Sequence, residues 1–259
     1  MSTLAETLEL LYTARHRFRT IAAALRYRYR PALVQEGWNR WLGRQAPGSV
    51  AALRSGELET GSAVEPERLP DSTEALQLWR VWWNKPGRWR HEVHLPDAGK
   101  VHIWVIDGDR WWFYDSREGT IHSHDMNERR AGRKYAPPSA PAVTDANQAA
   151  AQMAFVDPSV LLASHDLEVV GRSVHAGREA IAVRARPRAE REPAVDPAFW
   201  AGADTYQLLV DSERGVLLHY AASFRDTEYA AVSVEGVIFD QTIDDTLFAQ
   251  PTGPAALAF

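Results

Sequence analysis

Residues 78–115 read LWRVWWNKPGRWRHEVHLPDAGKVHIWVIDGDRWWFYD, and this stretch decides the fold. Seven of the ten tryptophans in the chain lie within it. Apolar and polar residues alternate, as in β-strands, and the breaks NKPG, PDAG and DGD interrupt the alternation. Short strands joined by tight turns pair with their sequence neighbours, so the stretch predicts an antiparallel meander.

The same signals extend the meander in both directions along the chain. An Arg/Tyr strand runs from residue 22 until Pro31 ends it, and helices are expected at 3–18, 32–42 and 145–163, the last with a break near Asp157-Pro158. Polar, Pro- or Gly-rich segments at 44–74, 126–144 and 187–203 are expected to be loop insertions. The predicted strands are 74–83, 88–95, 101–106, 110–114, 120–124, 167–175, 179–186, 205–210, 216–224 and 229–239. Because no composition break divides the chain, we expect one domain over residues 1–259.

Composition excludes several classes of protein. With 259 residues and 45% hydrophobic residues, the chain can build a globular core. A net charge of -5 argues against a general nucleic-acid binder. The chain has no cysteine, which removes disulfides, thiolate metal sites and cysteine nucleophiles. No run of residues is apolar enough to span a membrane, and the N-terminus has no signal peptide or lipobox. We therefore expect a cytoplasmic protein, or an exported one if a leader has been removed.

The charges are unevenly distributed. Six arginines lie between Arg15 and Arg30 with no acid among them, whereas residues 226–259 hold six acids and no Lys or Arg. We expect the basic segment to be a solvated strand face or to pair with acids elsewhere in the fold. An anionic ligand or an acidic surface is the alternative.

The C-terminal half resembles a known family. LEVVGRSVHAGREAIAVRARPR (167–188), TYQLLVDSERGVLLHYAASF (205–224) and IDDTLFAQP (243–251) resemble the turn motifs and the ending of LolA-like proteins. That group includes lipoprotein carriers and RseB/MucB-type regulators of anti-sigma factors. The resemblance implies a mostly β (α+β) fold: a curved, incomplete antiparallel β-barrel, with an N-terminal helix and a mid-chain helix covering its mouth. By family position, Arg178 is expected to pair with a carboxylate near a turn.

Such a half-barrel implies an apolar cavity that binds a hydrophobic molecule or an acyl chain, with no cofactor. Side chains that merely fill a core are the competing interpretation of the tryptophans. Strand alternation assigns ten residues to the cavity, with the reservation that a shift of one residue inverts the face. They are Trp79, Trp83, Trp89, Val93, Ile103, Trp111, Phe113, Leu218, Tyr220 and Phe224.

Three functions stay open at this point. The first is a non-enzymatic carrier of a lipid-like ligand, and the second is a regulatory module of RseB type that binds a protein partner. The third is a biosynthetic enzyme with an aromatic substrate, for which His91, His102 and His219 are the general-base candidates. His122, His124 and Asp125 are the residues considered for a metal, and they are too few for a site on one strand. The sequence does not indicate an oligomeric state.

Overall fold

The computed structural model describes residues 3–45, 74–125, 154–188 and 202–254. The predicted loop insertions lie almost wholly outside these residues. The helices are α1 (Leu4–Thr13), α2 (Pro31–Gln45) and α3 (Val160–Ser164). The strands are β1 (Thr20–Tyr29), β2 (Ala75–Asn84), β3 (Arg88–Leu95), β4 (Lys100–Asp107), β5 (Arg110–Asp115), β6 (Thr120–Asp125), β7 (His165–His175), β8 (Arg178–Pro187), β9 (Thr205–Asp211), β10 (Leu217–Phe224) and β11 (Thr227–Phe239).

The strands form one open antiparallel sheet. Their hydrogen-bonded order is β6-β5-β4-β3-β2-β1-β11-β10-β9-β8-β7, so β6 and β7 are its edges within the described residues. The prediction of a mostly β fold with an incomplete antiparallel barrel and a few helices is confirmed. Each predicted strand is present, with its ends within two residues of the predicted ones. That these helices cover the mouth of a barrel stays a prediction.

The chain divides into two compact units. The first comprises residues 1–17, 28–75 and 136–232, and the second comprises residues 18–27, 76–135 and 233–259. The N-terminal and C-terminal meanders, β2–β6 and β7–β10, fall in different units. The expectation of one domain over 1–259 stays a prediction.

In the first unit, α1 begins with a capping box. The Thr3 hydroxyl accepts a hydrogen bond from the backbone N–H of Glu6, and the Glu6 carboxylate accepts one from the backbone N–H of Thr3. This arrangement satisfies backbone donors that a helix start otherwise leaves open. The helix packs against β7 and α3 and buries Leu11. The break predicted at Asp157-Pro158 is present: residues 154–156 are helical, and the five-residue α3 begins after the proline, at Val160.

The arginines of β1 pair with acids, as one of the two interpretations predicted. In the second unit Arg26 Nη2 lies 2.5 Å from Glu235 Oε1. In the first unit Arg28 lies 3.7 Å from both Glu74 and Glu228. Glu228 and Glu235 belong to the acidic tail segment that the sequence set apart from the basic one. All of these pairs are about half exposed, so each contributes little stability, roughly 0–1 kcal/mol.

Candidate functional site

Strands β2 to β5 place most of their aromatic residues on one face of the sheet in the second unit. Trp83, Trp89, Ile106 and Trp111 are opposite one another on successive strands, and the next row is Val81, His91, Trp104 and Phe113. A third row consists of Trp79, Val93, His102 and Asp115. We call the aromatic face the set Trp79, Trp83, Trp89, His91, His102, Trp104, Trp111 and Phe113.

The rings of the aromatic face are in contact across the strands. The His91 ring stacks on Trp89 at a centroid distance of 5.5 Å and on Trp104 at 5.3 Å. The Phe113 ring follows 5.1 Å from Trp104. Cross-strand neighbours on one face of a sheet meet in this way, and each aromatic pair contributes about 0.5–1.5 kcal/mol beyond its buried area. The result is a continuous row of rings over β3, β4 and β5.

Burial varies across the aromatic face. Trp79 and Val93 are fully buried, at 1% exposure each. Trp83, Trp89, Trp104, Trp111 and Phe113 are only half-buried, so each keeps part of its ring accessible. Large apolar side chains that stay partly accessible in a group are typical of binding surfaces.

His91 brings a polar group into this apolar environment. It is 1% exposed, and its Nε2 atom has no hydrogen-bond partner among the described residues. Burial, with a smaller contribution from nearby His94, holds the pKa of His91 well below its usual value. The imidazole is therefore neutral at pH 7 and can donate or accept one hydrogen bond. By contrast, the indole N–H of Trp79 donates to Gln77 Oε1 at 2.8 Å.

His102 lies at the margin of the aromatic face. Its Nε2 is 3.3 Å from Asp115 Oδ2, and its ring meets Trp104 and Phe113 edge-on at 5.8 Å. A carboxylate that orients a histidine is one element of general-base catalysis. The Asp115 carboxylate can thus hold the orientation of the His102 ring.

The structure brings six of the ten predicted cavity residues together on this face. They are Trp79, Trp83, Trp89, Val93, Trp111 and Phe113. Ile103 is not among them. It points to the opposite face, where it packs in a core cluster with Trp82, Val105, Trp112, Ile243 and Phe248.

The three remaining predicted residues lie on β10, in the first unit. Leu218 and Tyr220 are fully buried, and burial raises the pKa of the Tyr220 hydroxyl. Phe224 is half-buried at the end of the strand. A role in binding a ligand stays a prediction for all ten residues.

The sequence did not assign Trp104 to the aromatic face. Alternation within β4 offers two phases, Val101-Ile103-Val105 and His102-Trp104-Ile106, and both are apolar. The pairing of His91 with Trp104 across β3 and β4 decides between them. The hairpin turn at Asp107-Gly108 fixes the next register, because Gly108 adopts a φ of +61° there.

Two other candidate residues, Arg178 and His219, lie in the first unit. Arg178 forms an ion pair with Asp211, which is 1% exposed, and also contacts Glu213 at 3.1 Å, as predicted for a turn arginine. Burial, His175 and Arg28 lower the pKa of His219 to about 4, so it is neutral at pH 7. The side chains of His122, His124 and Asp125 lie outside the described residues.

Two features are absent from the described residues. Nowhere in the described ranges do three His, Asp or Glu side chains meet in a way that could hold a metal ion. Of the helices described, none has the length and apolar character needed to cross a membrane.

Comparison with known proteins gives matches at the level of structure. No protein-family model matches this chain, and no curated protein matches its sequence. MucB aligns over 95% of this chain at 16% identity, with a TM-score of 0.49. The alignment covers 63% of MucB, so this chain spans less than two thirds of that protein.

Two further solved structures cover both chains almost completely. The Mycobacterium tuberculosis lipoprotein LppX aligns over 90% of this chain and 94% of its own, at 10% identity and a TM-score of 0.43. A LolA superfamily protein from Nitrosomonas europaea covers 96% of this chain and 98% of its own, at 8% identity and a TM-score of 0.33. The aligned structures include MucB and a protein of the LolA superfamily.

Proposed function

We propose that this protein is a non-enzymatic binding protein that holds a hydrophobic or amphiphilic, lipid-like ligand against its aromatic face. The observation that carries the proposal is the row of rings from Trp89 through the buried His91 to Trp104 and Phe113, in which the two indoles and the phenyl ring are only half-buried. The opposite face of the same strands has its own core, in which Trp82 and Trp112 are buried. The accessible rings are therefore additional to that core.

The physics of the aromatic face suits an apolar ligand. Each ligand methylene group buried against rings contributes about 0.8 kcal/mol, so an acyl chain of ten carbons gains several kcal/mol. Indole rings provide wide, rigid surfaces that lose little side-chain entropy on binding. The neutral His91 can satisfy one polar group of an amphiphile without placing a charge in the site.

Adjacent tryptophans on β5 provide a matched test. Trp111 belongs to the aromatic face, whereas Trp112 is 8% exposed and belongs to the opposite core. We expect Trp111→Ala to weaken binding of a fluorescent fatty acid about tenfold, which corresponds to 1.4 kcal/mol of lost contact. Trp112→Ala should instead lower the free energy of unfolding by about 3–5 kcal/mol and leave the affinity of the folded protein unchanged.

Fatty-acid titration and urea denaturation of both variants measure the two quantities. Trp89→Ala, on a different strand of the same face, should behave like Trp111→Ala. Parallel losses of affinity and stability in all three variants would show that the aromatic face is ordinary core. If the unmodified protein takes up no fatty acid and native mass spectrometry finds no extractable ligand, the proposal of a lipid-like ligand is refuted.

A further inference from the structure

A groove in the first unit lies between α2 and the turn that connects β10 to β11. Its volume is about 210 Å³. Its walls are Leu33, Glu36, Arg40, Phe224, Arg225 and Thr227. Pockets that enclose whole drug-sized ligands measure roughly 300–1,000 Å³, so this groove suits a small ion or one chemical group of a larger molecule.

Two guanidinium groups share one aromatic ring in this groove. The Arg40 Cζ atom lies 3.0 Å from the centroid of the Phe224 ring, and the Arg225 Cζ atom lies 4.9 Å from the same centroid. A stacked guanidinium keeps its N–H donors in the plane of the group, where they can form a fork for an oxyanion. The ring thus orients Arg40 without using its hydrogen bonds.

Arg40 has donors that nothing in the described residues satisfies. Its Nε and Nη1 atoms are buried and lack a hydrogen-bond partner there. Glu36 lies one helical turn before Arg40 on α2, the usual spacing for an ion pair, yet the two form none. A buried charged donor that loses its water without gaining an acceptor is costly, so native proteins rarely keep one.

Other sheltered arginines in the described ranges contrast with Arg40. Arg90 contacts Glu92 at 2.7 Å, Arg88 contacts Asp107 at 2.9 Å, and Arg178 pairs with Asp211. The fold therefore gives these arginines a carboxylate and leaves Arg40 beside a second arginine. An anion from outside the described chain would complete the arrangement and relieve the repulsion between the two positive charges.

We propose that this groove binds an oxyanion, a phosphate or carboxylate group, between Arg40 and Arg225. The in-plane donors of Arg40 bind two of its oxygens, the charge of Arg225 compensates the remaining one, and the Thr227 hydroxyl is available as a further donor. Glu36 weakens the site because it adds a negative charge to the wall. The groove and the aromatic face belong to different units, so each can be tested separately.

The experiment compares two sources of an oxyanion, free phosphate and a lipid headgroup. Inorganic phosphate is titrated into the full chain by calorimetry at low salt, and flotation compares vesicles containing phosphatidylglycerol with vesicles of phosphatidylcholine alone. Arg40→Gln and Arg225→Gln are compared with Arg186→Gln, an exposed arginine on β8 that changes the net charge equally. Each groove variant should lose about tenfold in affinity or more, whereas Arg186→Gln should bind normally. Glu36→Gln should bind the anion more tightly.

Each outcome decides the proposal. Phosphate binding that depends on both groove arginines assigns a site for a free anion, and binding to anionic vesicles alone with the same dependence assigns a headgroup site. Absence of both, or equal losses in all three arginine variants, overturns the proposal. If Arg40→Gln fails to fold by circular dichroism, the exposed Arg225 supplies the deciding variant.

Discussion

Arg90 on β3 holds the C-terminal segment of the second unit against the sheet. It is 4% exposed, and its Nη2 lies 2.7 Å from the carboxylate of Glu92, which is 0% exposed. Arg90 also donates to the backbone oxygens of Leu247 at 3.0 Å and Gly253 at 2.8 Å. One guanidinium thus neutralises a buried carboxylate and satisfies two carbonyl groups.

Replacing Arg90 with methionine keeps the aliphatic length and removes the charge. Glu92 then keeps the imidazole of His94 at 3.3 Å and the guanidinium of Arg80 at 4.0 Å as neighbours. Because one partner of a buried ion pair is lost, we expect the free energy of unfolding to fall by about 3–5 kcal/mol. Arg88→Met, two residues earlier on the same face, breaks more exposed ion pairs and should cost about 0–1 kcal/mol.

Urea denaturation of the two variants measures the difference. A double variant, Arg90→Met with Glu92→Leu, should recover part of the loss, since no unpaired carboxylate then remains in the interior. If Arg90→Met and Arg88→Met differ by less than about 1 kcal/mol, the buried pair does not hold the segment and the reasoning fails. Amide hydrogen exchange of residues 245–253 gives an independent readout, because release of the segment exposes those amides.

Local patterns in the sequence were sufficient to predict the strands and most of the aromatic face. Strand β3 alternates cleanly, with Trp89 and Val93 on one side and Arg90 and Glu92 on the other, so its buried face follows from the sequence. Strand β4 does not alternate, since KVHIWVID is apolar in both phases. A strand covered on both faces gives no sign of its orientation, and Ile103 was therefore grouped with the wrong neighbours.

The rest depends on contacts between distant parts of the chain. The six-arginine segment and the acidic tail segment are both visible in the sequence, but their pairing requires β1 to lie next to β11. Neither propensity nor turn chemistry predicts which strands far apart in sequence become neighbours. The same limit applies to the groove. There Arg40 lies over the ring of Phe224, which comes 184 residues later in the chain, and no local pattern connects the two.

Two further predictions concern stability. Burial lowers the pKa of His165 to about 4 from its ordinary 6.5, so the unfolded chain binds a proton there first as the pH falls. Stability is therefore full above pH 6.5 and declines between pH 6.5 and 4, by about 3 kcal/mol for this group, and His165→Gln should flatten that part of the pH profile. Gly215 adopts a φ of +75°, and a β-carbon there would overlap the carbonyl oxygen of Leu10 in α1. Gly177, at +73°, faces open space. Both Gly→Ala variants bear the backbone strain of about 1–2 kcal/mol, but only Gly215→Ala must also displace α1. Thermal denaturation should accordingly rank Gly215→Ala well below Gly177→Ala, and equal melting temperatures would mean that α1 does not depend on this close approach.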